Sequence, residues 1–96
     1  MDNPLFYDRA RLEIMTVLYK SKEPISFSEL LLRTSLTKGN LSSHLAKLEG
    51  SRSVEIKKSF VEKKPLTTIC ISETGKIAFK QHLAKLQDIL KQVSKK

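Results

Sequence analysis

Cysteine, glycine, proline and acidic residues are all scarce in this chain of 96 residues. The single cysteine, Cys70, excludes an internal disulfide and is typical of a reducing compartment. With only three glycines, three prolines and no low-complexity tract, the chain is expected to fold as one small domain over residues 1–96. No apolar run approaches a membrane span, and the first residues lack the apolar core of a signal peptide, so we expect a cytoplasmic protein.

The shortage of acidic residues leaves the chain strongly basic. Eighteen Lys and Arg residues oppose ten Asp and Glu residues, which gives a net charge of +8. This excess suits a nucleic-acid partner. Part of the charge, however, belongs to a terminal lysine tail of the kind that usually serves solubility: Lys91, Lys95 and Lys96.

Motifs of catalysis and metal binding are also missing. The sequence contains no Ser-His-Asp constellation, glycine-rich phosphate loop or plausible carboxylate pair, so we do not expect an enzyme. His44, His82 and Cys70 lack the spacing of metal ligands, and we predict neither a metal nor another cofactor. We expect His82 to be exposed, and Cys70 to be a passive small residue rather than the alternative, a thiol redox sensor.

Residues 37–49 have the clearest helical pattern. Leu41, Leu45 and Leu48 recur at spacings of four and three, which places them on one side of a helix that Thr37 can cap. The opposite side has no acidic or large apolar group and carries small or polar residues and two flanking lysines: Lys38, Gly39, Asn40, Ser43 and Lys47. Because small side chains admit a close approach and Asn, Ser and Lys bind phosphates and base edges, we predict a DNA recognition helix.

Three other segments have helical periodicity: residues 4–20, 26–34 and 73–93. Asp2 or Asn3 is the expected cap of the first, Ser26 of the second and Ser72 of the last. The first helix has a wide apolar arc, so we expect it to pack on its own core and on a partner helix; complete coverage within the monomer is the alternative. The short second helix, a polar turn and the recognition helix form a helix-turn-helix.

A two-stranded wing is predicted over residues 53–71, directly after the recognition helix. Val54, Ile56 and Phe60 have period-two placements, and a second strand is expected over 66–71. The tip between the strands is charged and includes Lys63 and Lys64. Such a wing can contact the DNA backbone or the minor groove, although an ordinary hairpin with a solvated tip is the alternative. The predicted fold is thus α+β, mainly α, a winged helix-turn-helix.

The last helix carries a heptad-like apolar seam. Its residues repeat at four-three-four-three spacing: Phe79, Leu83, Leu86, Leu90 and Val93. The helix would be about 30 Å long, longer than the body it leaves, so its distal half needs an apolar surface from elsewhere. We predict a homodimer formed through this seam together with Leu5 and Phe6.

The segment Leu36-Thr-Lys-Gly-Asn-Leu-Ser-Ser-His-Leu45, followed by Lys-Leu-Glu at 47–49, is similar to the recognition-helix signature of MarR/ArsR-like winged-helix transcriptional regulators, especially their small single-domain subgroup. Residues 11–15, 25–30, 58–61 and 71–75 resemble further motifs of that family. The resemblance implies a dimer on a pseudo-palindromic operator and leaves a small-molecule effector open. Carried over by position, it implies DNA contacts by Thr37, Lys38, Gly39, Asn40, Ser42, Ser43, His44, Lys47, Lys63 and Lys64. For His44, packing between helices is the alternative.

One stretch departs from the family pattern. Members usually have Leu-Glu-Glu-x-Gly-Tyr-Val at the junction of helix and wing, whereas this chain has Leu-Glu-Gly-Ser-Arg-Ser-Val at 48–54. Arg52 stands where the helix-ending glycine is usual, and Ser53 stands where the tyrosine is usual. We therefore expect Gly50 to end the recognition helix early.

Two functions of different classes follow. The first is a dimeric, sequence-specific regulator of transcription that binds double-stranded DNA. The second is a winged-helix protein–protein interaction module without DNA readout. The outer side of the recognition helix favours the first, because modules that bind proteins tend to expose apolar or acidic residues there.

Overall fold

The computed structural model describes residues 4–94, which form a mainly helical α+β winged helix with a three-stranded antiparallel sheet of order β1-β3-β2. A 3-10 turn (Pro4–Tyr7) precedes α1 (Arg9–Lys20), β1 (Ile25–Ser26), α2 (Phe27–Arg33), α3 (Lys38–Gly50), β2 (Val54–Val61), β3 (Lys64–Ile71) and α4 (Glu73–Ser94). Within the described range, none of the helices is long and apolar enough to cross a membrane.

Hydroxyl caps fix the start of three helices. Ser26, Thr37 and Ser72 each accept a hydrogen bond from the backbone N–H three residues further on, at 3.1, 3.2 and 2.9 Å. These bonds satisfy N–H groups that have no partner inside a helix. All three caps are those that the sequence predicts.

The first helix begins later than predicted. Residues 4–7 form the 3-10 turn, and the carboxylate of Asp8 caps α1 by accepting the backbone N–H of Arg11 at 3.1 Å. A single helix over 4–20 is therefore corrected to two elements, because the chain turns at Asp8 and brings Phe6 into the core. The predicted caps Asp2 and Asn3 lie outside the described residues.

The core lies between the helices and the inner side of the sheet. Its buried apolar side chains come from every element: Phe6, Ile14, Met15, Leu18, Ile25, Leu30, Leu41, Leu45, Leu48, Val54, Ile69 and Phe79. The leucine stripe of α3 is thus buried as predicted. The other apolar side chains of α1 are half-buried, so this helix packs on the core without being completely covered by the described part of the monomer.

Two residues predicted for the dimer seam belong instead to this core. Phe6 and Phe79 are 0% and 1% exposed, and their rings meet edge to face with centroids 5.4 Å apart. Their assignment to a dimer contact is therefore wrong, because the start of α4 packs on the body of the monomer. His82, predicted to be exposed, is buried as well, with its ring against those of Phe6 and Tyr7.

The recognition helix is followed, two residues after its end, by an arginine in the left-handed conformation. The N–H of Ser53 donates to the Leu48 carbonyl and that of Arg52 to the Glu49 carbonyl, both at 2.9 Å, which is the Schellman pattern. Arg52 has φ 62°, so it adopts the conformation that a glycine usually supplies. Gly50 is the last residue of α3, but its φ is not positive, so the left-handed residue that stops the helix is Arg52 and not Gly50.

The start of α4 is packed tightly against this helix end. The Ser53 carbonyl accepts the N–H of Ser72 at 3.0 Å, and the Ser72 hydroxyl donates to the Arg52 carbonyl at 2.6 Å. A Cβ atom on Gly75 would lie 2.0 Å from the Ser53 carbonyl oxygen. Only glycine at position 75 permits this close approach.

The wing is a tighter hairpin than predicted. Its turn consists of Glu62 and Lys63, both with positive φ (52° and 67°), as in the two-residue turns that match strand twist. Lys64 already belongs to β3, where it pairs with Val61. In addition, Ile25–Ser26 form a short strand, β1, that pairs with β3 and that the sequence did not predict.

Candidate nucleic-acid interface

The outer side of α3 is open to solvent. The residues predicted to reach DNA from this helix and its cap are exposed with one exception, His44: Thr37, Lys38, Gly39, Asn40, Ser42, Ser43 and Lys47. No large apolar side chain is exposed anywhere on α3, every residue of which the structure describes. The buried leucines fix the helix to the body, and the polar side remains available to a ligand.

Gly39 is not required by the fold. A Cβ atom at this position would meet nothing within 4 Å, and its φ is not positive. Neither internal packing nor backbone conformation therefore explains a glycine there. A close approach of a ligand to the α3 backbone is a physical reason for it.

The turn between α2 and α3 is fixed from α1. The carboxylate of Glu13 accepts hydrogen bonds from both the backbone N–H and the hydroxyl of Ser35, the latter at 3.1 Å. The hydroxyl of Thr34 donates to the Leu30 carbonyl at 3.0 Å and ends α2. These bonds hold the helix-turn-helix in one geometry, and α3 takes its direction from α1.

His44 faces α1 rather than the outer side. Nη1 of Arg11 lies 3.1 Å from Nδ1 of His44, and because a guanidinium can only donate, Nδ1 is the acceptor. Nε of Arg11 donates to the Leu5 carbonyl at 2.7 Å, and Nε2 of His44 lies 4.0 Å from Oδ1 of Asp8. The His44 side chain is only 20% exposed. This geometry favours packing between helices over a phosphate contact.

Asp8 is the acidic member of this network. The hydrogen bond from the backbone N–H of Arg11, followed by the Arg11 charge, lowers the pKa of the Asp8 carboxyl against an opposing effect of burial. Asp8 is therefore a charged cap near neutral pH. The network joins the start of α1, the 3-10 turn and the back of α3.

The two faces of the β2–β3 hairpin differ in their relation to α3. Paired residues share a face and successive residues alternate, so the register defines an inner face that begins in the core: Val54–Ile71, Ile56–Ile69, Lys58–Thr67 and Phe60–Pro65. The outer face consists of Glu55–Cys70, Lys57–Thr68, Ser59–Leu66 and Val61–Lys64. The predicted DNA contacts Lys63 and Lys64 are exposed, but Lys63 lies in the turn and Lys64 on the outer face.

A cleft of about 660 Å³ separates α3 from the inner face of the hairpin. Its polar lining comes from both sides, over a partly apolar base formed by Phe27, Leu45 and Ile56. The polar residues are Lys38, Ser42 and Glu49 of α3 and Lys58 and Thr67 of the hairpin. The sequence prediction did not include Lys58 or Thr67. Alternation along the two strands could have assigned both residues to the inner face. This signal can be used only when the two turn residues, which fix the register, are known.

Cys70 lies on the outer face and is half-buried, with Sγ 3.6 Å from a carboxylate oxygen of Glu55. Burial, together with the Glu55 charge, raises the pKa of the Cys70 thiol. Because the reactive form of cysteine is the thiolate, a raised pKa supports the interpretation of Cys70 as a passive residue.

The apolar stripe of α4 leaves the body partway along the helix. Leu83 and Leu86 are half-buried, whereas Leu90 and Val93 are 65% and 71% exposed. Leu5, the remaining residue predicted for the dimer, is half-buried in the 3-10 turn. The distal half of the stripe is thus not covered by the described part of the chain.

Comparisons with known proteins agree with this geometry. An uncharacterized protein of Methanocaldococcus jannaschii is 35% identical over 89 residues, which cover 93% of this chain and 96% of the relative. The solved structure of a transcriptional regulator homologue from Pyrococcus horikoshii has a TM-score of 0.88 at 27% identity and covers 97% of this chain and 91% of its own. An ArsR family transcriptional regulator shares the fold, with a TM-score of 0.58 at 22% identity over 97% of this chain and 88% of its own. The winged helix DNA-binding domain family matches residues 10–90, and the chain, which resembles transcriptional regulators, belongs to that family.

Proposed function

We propose that this protein is a dimeric, sequence-specific regulator of transcription that binds double-stranded DNA in the cytoplasm without a cofactor. In this proposal α3 enters the major groove, and the basic wing contacts the backbone or the minor groove. The observation that carries the proposal is the open, acid-free outer side of α3 above a buried leucine stripe. Family membership and the likeness to a transcriptional regulator homologue support it.

The exposed residues divide by chemistry into base-reading and phosphate-binding groups. Asn40 and Ser43 supply hydrogen bonds to base edges, and Gly39 lets the backbone approach. Hydroxyls and lysines around them contact phosphates and set the register of the helix: Thr37, Lys38, Ser42 and Lys47, with Lys63 and Lys64 from the wing. His44 supports α3 from behind through Arg11.

A second copy of the chain is the proposed occupant of the distal α4 stripe. The proximal part of the stripe is buried in the monomer core, and its continuation through Leu86, Leu90 and Val93 emerges into solvent. Packing the same stripe of another copy against it buries both. A two-fold arrangement would set the two α3 helices on one face of a pseudo-palindromic operator, with half-sites about 34 Å apart.

Selection of bound fragments from a random duplex pool tests the proposal as a whole. We expect enrichment of one sequence with dyad symmetry, and affinity that falls steeply with salt because several phosphates are contacted. Failure to enrich any duplex, or binding that is insensitive to salt, would contradict DNA recognition and would favour an interaction module instead.

Single substitutions test the division of roles. Asn40→Ala and Ser43→Ala should reduce the preference for the selected site over random DNA. Lys64→Ala should weaken all duplexes alike and reduce the salt slope by about one unit. Equal losses for all three variants, with unchanged preference, would refute this division.

A further inference from the structure

The inner face of the hairpin extends beyond the core and ends in an exposed aromatic ring. Val54 is buried at the root of this face, Ile56 and Thr67 are half-buried, and Phe60 is 76% exposed at the tip. Phe60 pairs across the hairpin with Pro65, whose fixed ring stands beside it on the same face. A single large ring held in water on a face directed towards α3 is a candidate contact group.

Charge identifies the kind of partner that fits this face. None of the residues of the inner face from Val54 to Ile71 is acidic, and Lys58 lies between the core and Phe60. Lys38 and Lys58 line the cleft together with Glu49, and the adjoining turn holds Glu62 beside Lys63, so lysines outnumber carboxylates three to two around this face. A protein partner that used Phe60 would have to place an apolar pocket among these cations, whereas a polyanion is attracted by them.

We propose that the inner face of the hairpin binds DNA in two parts. Lys58 and Thr67 hold the phosphate backbone that passes through the cleft beside α3, and Phe60, supported by Pro65, inserts into the adjacent minor groove and bends the duplex. This inference rests on the proposed function, because the cleft lies beside an α3 docked in the major groove. Apolar side chains inserted between base steps kink DNA by about 20–90°.

Neighbouring lysines on opposite faces provide a matched test of the cleft. Lys57 and Lys58 are both exposed, but Lys57 lies on the outer face, four residues before Val61, whose partner Lys64 is the phosphate contact proposed at the tip. With a labelled mixed-sequence duplex of roughly 20 base pairs, we expect Lys58→Ala to lower affinity about eightfold at about 0.1 M salt and to reduce the salt slope by about 0.9, the contribution of one phosphate contact. Lys57→Ala should change the logarithm of the affinity, and the salt slope, by no more than about a quarter of the changes expected for Lys58→Ala. Equal effects of the two substitutions would overturn the assignment of Lys58.

Phe60 and Val61 form a second matched pair, because both are exposed apolar residues near the tip and they lie on opposite faces. Energy transfer between fluorophores at the two ends of the same duplex measures its bend. We expect a bend of at least about 20° with the wild type, with Val61→Ala and with Phe60→Leu, and a straight duplex with Phe60→Ala. A bend that Phe60→Ala leaves unchanged would overturn the insertion of Phe60. That is the result expected if the ring served a protein partner instead.

The outcomes for the two proposals are distinguishable. A wild-type protein that binds no duplex overturns DNA binding itself and this inference with it. Binding by the wild type, combined with identical behaviour of the Lys57 and Lys58 variants and of the Phe60 and Val61 variants, overturns the inner-face inference alone. Since all four side chains are exposed, circular dichroism of each variant should match that of the wild type.

Discussion

Gly75 is the glycine at which an added methyl group is hardest to place. The Cβ atom would lie 2.0 Å from a backbone oxygen of Ser53, and that oxygen is held by the N–H of Ser72. We expect Gly75→Ala to lower the free energy of unfolding by about 3 kcal/mol or more, measured by urea denaturation. Gly50→Ala is the control, because nothing lies within 4 Å and the residue is helical, and it should raise stability by about 0.5 kcal/mol. A Gly75→Ala protein as stable as the wild type would contradict the close approach.

The charge of Asp8 should make a contribution to stability that depends on pH. Asp8→Asn keeps a capping oxygen but removes the charge that the Arg11 N–H and guanidinium stabilise. Because the folded-state pKa is lowered, the wild type should be the more stable protein above about pH 4. The difference should disappear as the pH falls through the folded-state pKa. Thermal midpoints of both proteins across this range give the measurement, and a difference that persists in acid would contradict the charged cap.

At the scale of the element, a substitution after the end of α3 should increase the stability of the fold. Arg52 has φ 62°, a conformation that costs a non-glycine residue about 1 kcal/mol. We expect Arg52→Gly to raise the free energy of unfolding by about that amount, because the backbone bonds of the Schellman motif do not depend on the side chain. Ser51→Gly, at φ −86°, should instead lower the free energy of unfolding. Glycine gives the unfolded chain more freedom, and the folded protein loses the hydrogen bonds of the Ser51 hydroxyl. Stabilisation by both substitutions would show that left-handed strain is not the cause.

The helices and the wing could be predicted because their signals are local and repeated. Hydroxyl caps precede α2, α3 and α4, and the spacing of leucines in α3 fixes which side is buried. The break at Asp8 could not be predicted, because Leu5 and Phe6 fit the apolar period of α1 although they belong to a 3-10 turn. Strand β1 has only two residues, too few for any period, and its pairing with β3 is a tertiary contact.

In the candidate site, the outer side of α3 could be predicted from the sequence, but the cleft between α3 and the hairpin could not. The exposed side of a surface helix follows from its period alone. Which hairpin residues face α3 depends on register, and a shift of one residue exchanges the two faces. The turn at Glu62–Lys63 contains neither Gly nor Asn, so the sequence carried no marker for it. For His44 the sequence left a DNA contact and packing between helices open. The contact that favours packing is with Arg11, which is 33 residues away in the chain.

At the scale of the whole molecule, the exposed end of α4 predicts the oligomeric state. The molecule measures 59 × 25 × 22 Å, and the distal apolar stripe lies on the long α4. Leu90→Asp should give a monomer in sedimentation and weaken binding to the selected operator, because two linked heads bind more tightly than one. Ile77→Asp is the control, since Ile77 is 57% exposed but lies about 180° around the helix from Leu86. A dimer that survives Leu90→Asp, or one that Ile77→Asp disrupts equally, would argue against this interface.

The contact of Gly75 with Ser53 has a consequence for how two such subunits could respond to one another. Because the first turn of α4 touches the backbone where α3 ends and β2 begins, α4, α3 and the hairpin should rotate as one rigid body. A change in the crossing angle of two α4 helices would then alter the separation of the two α3 helices without altering the shape of either. Regulation by that route would act on the permitted distance between half-sites and leave the preferred bases within each half-site unchanged.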